Sequence, residues 1–96
     1  MNNKLPVQMF GIECGPGWRC LIDPLVRRCR IEGVTIVQIK EKFGGLRFYV
    51  EVDSANDSLY AAIDDAGSLS YTICEECGEP GELRDGGWIR TLCNKH

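Results

Sequence analysis

The last stretch of the chain, CEECGEPGELRDGGWIRTLCNKH, sets the thiols of Cys74 and Cys77 against the thiol of Cys93 and the imidazole of His96. Each pair spans a two-residue gap, and fifteen residues separate the pairs. Zinc takes four thiolate or imidazole ligands in a tetrahedron, and a two-residue gap lets both ligands of a pair turn inward on one tight loop. The intervening segment reads as a hairpin: Glu82, Leu83 and Arg84 rise, Asp85-Gly86-Gly87 turns, and Trp88 to Leu92 returns. Gly78 relieves the backbone where the amides of such a knuckle point at sulfur. Buried free cysteines are common in cores, but two spaced pairs facing one another across a turn are not an ordinary packing pattern.

The same residues bear on whether the ion would do chemistry. A catalytic zinc keeps one position open for water, whereas here four protein ligands fill the tetrahedron. His96 is the only histidine, so no second imidazole is present to act as a base, and the deaminase pattern of His-x-Glu with Cys-x-x-Cys is absent. The reading is one structural zinc ion and no enzyme, with loss of His96 expected to cripple metal affinity.

Other reactive residues are less organised. Cys14, Cys20 and Cys29 are separated by gaps of five and eight residues that match no knuckle, and they are read as buried thiols. Arg27, Arg28 and Arg30, with Arg19, form one basic cluster, and Lys40, Lys42 and Arg47 form another; side by side they would suit phosphate or an acidic partner. Trp18 is expected in the core, while Trp88, at a hairpin edge, suits either packing or recognition. Glu41 falls in an apolar row and needs a bulge or a partner.

These groups must be held by a small scaffold. Residues 1–16, with Pro6, Gly11, Gly15 and Pro16, read as an irregular arm, and 17–96 as one domain that includes a metal module at 74–96. Trp18, Leu21, Ile22, Leu25 and Cys29 recur at helical spacing. Asp23-Pro24 suits a cap and first helical position, which predicts a turn at 17–22 and a helix from about 24 to 31, ended by Gly33. VTIVQIKEKFGGLRFYVEV is two strand-like runs around Gly44-Gly45. A turn there pairs Phe43 with Leu46, Glu41 with Phe48, Ile39 with Val50 and Val37 with Val52 on one face, and Lys42 with Arg47, Lys40 with Tyr49 and Gln38 with Glu51 on the other. Ser54 and Asp57 then cap a second helix with Leu59, Ala62, Ile63, Ala66 and Leu69 on its apolar stripe, and Tyr71-Thr72-Ile73 reads as a short strand. The fold class is α+β: a small antiparallel hairpin sheet with two helices on one face and a carboxyl-terminal zinc ribbon or knuckle.

Composition narrows the function classes. A chain of 96 residues buries only about 60–65% of its unfolded surface, so a metal staple would matter to stability. No apolar run approaches the ~20 residues that span a bilayer. MNNKLPVQMFGIEC does not read as a signal peptide, which predicts a cytoplasmic location and reduced thiols. A net charge of −3 disfavours sequence-independent nucleic-acid binding without excluding a local patch.

KEKFGGLRFY and the CxxCGxPGxLR…GW…TLCxxH module, with Gly17-Trp18, resemble a family of small, largely uncharacterised bacteriophage and prophage proteins. The likeness runs from about Gly17 onward. It implies a zinc-binding domain with Cys74, Cys77, Cys93 and His96 as ligands, a bacterial host cell as its setting, and no assigned reaction. Two functions follow as expectations. One is a protein-interaction module that inhibits or modulates a host defence enzyme or complex, using Arg27, Arg28, Arg30, Lys40, Lys42, Arg47, Trp88 and Arg90. The other is a nucleic-acid-binding zinc ribbon in which Arg84, Arg90 and Lys95 join the helix arginines, although Glu75, Glu76, Glu79, Glu82 and Asp85 offset that charge. No small-molecule substrate and no membrane are inferred.

Overall fold

The computed structural model describes residues 11–51 and 56–96. In chain order the elements are β1 (Ile12–Glu13), a 3-10 turn (Pro16–Trp18), α1 (Arg19–Glu32), β2 (Thr35–Lys42), β3 (Gly45–Glu51), α2 (Asp57–Ser70), β4 (Glu82–Asp85) and β5 (Ile89–Leu92). The first three strands form one sheet in the order β1-β2-β3, and β4 and β5 form a separate hairpin. The α+β expectation is thus met, with one amendment: β1 lies parallel to β2, with Ile12 beside Ile39 and Glu13 beside Lys40. The segment expected to be wholly irregular therefore contributes an edge strand, since Ile12 has apolar surface to pack against the core. Residues 1–10 of that expected arm lie outside the described residues.

Helix α1 begins five residues earlier than the proline rule predicts, and Pro24 sits inside it. The physical reason is which face the proline occupies. Pro24 and Cys20, whose carbonyl loses its i+4 donor, both lie on the exposed side of the helix, where solvent can satisfy that carbonyl. Trp18 and Ile22 on the opposite side are fully buried, and Leu25 and Cys29 continue the stripe. Burying such side chains is worth about 1.5–3 kcal/mol each, enough to outweigh one proline. Gly33 ends the helix as expected, with a left-handed φ of 71° and its N–H directed to carbonyls of the last turn.

The β2–β3 hairpin differs by one residue in its turn. Lys42 pairs with Gly45, Glu41 with Leu46, Lys40 with Arg47 and Ile39 with Phe48. The two central turn residues are Phe43 and Gly44, with φ of 54° and 86°. Positive φ at both positions is the geometry that matches the twist of paired strands. Phenylalanine in that region costs about 1–2 kcal/mol, and two features hold it there. The Glu41 carboxylate accepts the Gly44 N–H at 2.8 Å, which also answers how Glu41 is satisfied in an apolar row. Moreover, Gly45 is covered by the ring of Tyr71 and has no room for a side chain. A bulge between Ile36 and Gln38 turns Ile36 inward and Val37 outward, the reverse of the simple alternation. Ile39, Leu46 and Phe48 face the core as expected, whereas Phe43 is in the turn and exposed. Val52 lies outside the described residues.

Helix α2 is capped by Asn56, whose side chain accepts the Leu59 N–H at 3.2 Å; Asp57 is in the first turn, and Ser54 lies outside the described residues. Leu59 and Ala66 are buried, with Ala62 and Ile63 packed against them. Leu69 is exposed instead of buried, and Ser70 takes the inward position, accepting from Leu46 N–H at 2.9 Å and donating to Gly67 O at 2.6 Å. After the helix the chain turns at once, so Tyr71 to Ile73 is no strand; only Ile73 makes a bridge, to Pro80. Both helices and the sheet share one core of Trp18, Ile22, Leu25, Cys29, Ile36, Ile39, Leu46, Phe48, Leu59 and Ala66.

Candidate metal centre

Two loops bring the four expected ligands together. The first leaves Ile73, where the Cys74 carbonyl accepts the Gly78 N–H at 2.9 Å and closes the Cys74–Cys77 knuckle, with Gly78 at a φ of 85°. The second follows β5, where the Cys93 carbonyl accepts the His96 N–H. The hairpin joining them pairs Glu82 with Leu92 and Asp85 with Ile89. Asp85 thus belongs to the strand, while Gly86, Gly87 and Trp88 form the loop, which moves Trp88 off the expected return strand and leaves it 75% exposed.

The donor atoms of Cys74, Cys77, Cys93 and His96 all lie within 4.8 Å of one another. Cys77 Sγ stands 3.6 Å from Cys93 Sγ, and His96 Nδ1 stands 3.9 Å from Cys74 Sγ and 3.1 Å from Cys93 Sγ. Ligands bound to a single ion at ~2.3 Å for sulfur and ~2.0 Å for nitrogen occupy tetrahedral corners about 3.3–3.8 Å apart. The observed spacing straddles that range, close enough for the four residues to hold one metal ion. Burial pushes the Cys74 thiol up, but backbone amides of Cys93, Cys77 and Glu76 bonded to its sulfur outweigh that and leave it below the usual cysteine range. The Cys93 thiol is likewise lowered, first by the Lys95 amide. In the third thiol, Cys77, the Glu79 amide acts in the same sense, but burial and the neighbouring thiols Cys74 and Cys93 together prevail and raise it. Stacking three thiols this closely is what a cation relieves.

The knuckle is fastened to the rest of the chain by a residue that spacing alone does not mark. Glu75, only 4% exposed, lies between two ligands. Its carboxylate accepts the Gly15 N–H at 2.8 Å, its carbonyl accepts the Gly17 N–H at 2.6 Å, and its own N–H donates to Thr91 O at 3.0 Å. Gly17 fits because a side chain there would run into Cys74 O, Gly78 N and the Glu75 backbone. Trp18 follows, donating its indole N–H to Ile73 O at 2.8 Å. On the other side, the Thr91 hydroxyl donates to Gly44 O at 2.7 Å, and Leu83 and Ile89 rest on Gly44, so the Phe43-Gly44 turn is seated on the metal hairpin.

The remaining expected site residues scatter. Arg90 is held by Glu76 and Glu75, and this keeps its guanidinium above the ordinary arginine value, with Glu76 the main cause. Arg84 donates to Leu92 O and to Asn94 Oδ1. Arg28 bonds Glu32 and the Ser58 hydroxyl, tying α1 to α2, and Arg19 pairs with Asp23. Lys40 and Arg47 stand opposite one another on the sheet surface turned away from Ile39 and Phe48, so they do not merge with Arg27 and Arg30 on the exposed side of α1. Lys42 lies over the Phe43 ring, 5.6 Å from its centre. Among the other cysteines, Cys29 is buried and Cys14 partly buried, but Cys20 is exposed because it shares the outer helix face with Pro24. None of the three joins a metal-ligating cluster among the described residues. Also among the described residues, no helix is long and apolar enough to cross a membrane.

Comparison with models of known families, with curated proteins and with solved structures finds no match to this chain.

Proposed function

We propose that this is a small phage-type zinc protein that acts without catalysis, as a rigid interaction module engaging a host protein, with an enzyme or complex of host defence as the target class. Zinc is the ion best suited to three thiolates and an imidazole, and a filled tetrahedron leaves no position for substrate or water. The observation that carries the reading is the pairing of two exposed aromatics at neighbouring hairpin tips. Phe43 is 64% and Trp88 75% exposed, and together with Lys42, Glu41, Gly87 and Ile89 they line one cleft of about 350 Å³. Phe43 holds a left-handed φ of 54° while facing solvent, and large exposed aromatics are common anchors of protein recognition. The phage setting rests on the sequence resemblance.

Elemental analysis should give one zinc per chain. Purified chain used as bait in a bacterial lysate should retain one stoichiometric host protein, and Trp88→Ala should release it while metal content is unchanged. Retention unaffected by that substitution, or zinc well below one equivalent, would remove the reading. The nucleic-acid alternative loses two of its expected contacts, since Arg84 and Arg90 are committed within the molecule. Binding to DNA or RNA that falls steeply as salt rises from low to physiological strength would restore it.

A further inference from the structure

Among the described residues, strand β3 pairs with β2 on one side only. Leu46 N–H points away from β2, because it donates to the Ser70 hydroxyl of α2. In an antiparallel ladder alternate residues share that direction, so the N–H and C=O groups of Phe48 and Val50 also face the free edge. Helix α2 covers this edge at Leu46 and then leaves a groove of about 490 Å³ between itself and Phe48–Val50. All three tyrosines of the chain, Tyr49, Tyr60 and Tyr71, line it, each exposed. Gly67 supplies the opposite wall with no side chain to obstruct it. Arg47 lines the groove as well, and its Nε is buried without a hydrogen-bond partner among the described residues. Its cross-strand neighbour is Lys40, a second cation, and Asp64 on the helix wall makes no ion pair with it among the described residues. Glu13 of β1 stands on the far side of Lys40, so the cation left to an incoming acid is Arg47.

We propose that this groove receives an extended peptide segment of the partner protein, added as a further strand on β3, with an aspartate or glutamate side chain directed at Arg47. The unpaired backbone groups of Phe48 and Val50 select an extended chain. The tyrosine rings supply broad, rigid contact surface with a polar tip, and the Arg47 guanidinium selects an acid. The proposal rests on the interaction reading above and names a second surface for it, distinct from the Phe43–Trp88 cleft.

A display library of short random peptides, panned against the zinc-loaded full chain, supplies the probe. The enriched sequences should place Asp or Glu among β-branched residues, and the synthesised winner should shift the amide NMR signals of Phe48 and Val50. N-methylation of alternate amides along one edge of that peptide should weaken binding about tenfold or more, whereas methylation along the other edge should not. Arg47→Glu should weaken it comparably. Gly67→Leu should block the groove with the fold intact, since an added Cβ there meets Leu46 O at an ordinary 3.5 Å and glycine is a poor helix former. Peptides that bind but ignore Gly67→Leu and both methylation series would overturn the groove and leave the interaction reading standing. An empty selection would overturn the groove too, with the lysate capture deciding the wider reading separately. Protection of Phe48 and Val50 amides that grows with protein concentration, peptide absent, would assign the edge to a second copy and likewise overturn the proposal.

Discussion

The hydroxyl of Thr91, fully buried, donates to the carbonyl of Gly44 at 2.7 Å and joins the metal hairpin to the tight turn of the main sheet. Replacing it by valine keeps the shape and strands the carbonyl. Thr91→Val should therefore destabilise the metal-loaded protein by about 1–3 kcal/mol. For a domain of this size that corresponds to a fall in Tm of at least about 4 °C. Thr91→Ser, which keeps the donor, should recover a large part of the loss; equal losses in both variants would show that packing and not the bond is at stake.

Glu75 offers a sharper contrast with its neighbour. Its side chain is 6% exposed and serves Gly15 and Arg90, whereas that of Glu76 is 37% exposed and serves Arg90 alone. Glu75→Ala should cost about 1–3 kcal/mol by denaturant unfolding, because it leaves a partly buried N–H unpaired and one arginine partner missing. Glu76→Ala should stay within about 1 kcal/mol. The reverse ranking would contradict the role assigned to Glu75.

Removing the metal should be felt at Trp18. In a Trp88→Phe background the buried indole, bonded to Ile73 O beside the first ligand, is the sole tryptophan. Chelation should shift its emission to the red, and Cys93→Ser or His96→Ala should do so without chelator. An emission maximum that stays put after complete metal removal would separate the knuckle from the core.

Thiol reactivity should follow environment. Burial, helped by the nearby Glu75 charge, pushes the Cys14 thiol up to about 12, and burial also raises Cys29. Cys20 is exposed. In the zinc-loaded protein at neutral pH, iodoacetamide should modify Cys20 first, with Cys14 and Cys29 slower by orders of magnitude, as read by peptide mass mapping. Comparable rates at Cys14 and Cys20 would contradict the burial of Cys14.

Acid should also report on Glu32, which accepts from Asn56 Nδ2 at 2.8 Å and from Arg28 Nε at 2.7 Å and joins the end of α1 to the start of α2. The Asn56 bond first, then Arg28, holds its carboxyl below the ordinary 4.5. A depressed value means that the stabilisation is complete above about 4.5 and fades as pH falls through the folded-state value. The stability difference between the native chain and Glu32→Gln should be constant near neutrality and shrink only below that point. A difference that grows with acidity would reverse the sign of the linkage.

Some of this architecture is legible in the residues themselves. The four ligands announce their cage through spacing, because knuckle geometry is local. The core stripe of α1 and the inward row of Ile39, Leu46 and Phe48 follow from period alone. Misplacements arise where a long-range contact overrides a local rule. Pro24 is tolerated because its helix face is solvated, and the turn moves to Phe43-Gly44 because Tyr71 closes over Gly45. Glu75 and Arg90 look like surface charges until the fold brings Gly15 to the knuckle. No pattern marks those partners, which lie sixty positions apart for Gly15 and Glu75.

On the proposed zinc reading, that closure from Gly15 and Gly17 onto the Cys74–Cys77 loop ties ion affinity to folding free energy. On that same reading, the concentration of zinc in the surroundings shifts the share of chains that are folded, as mass action dictates. Scarcity of the ion would then be felt first as loss of folded chain, so that abundance would follow metal supply.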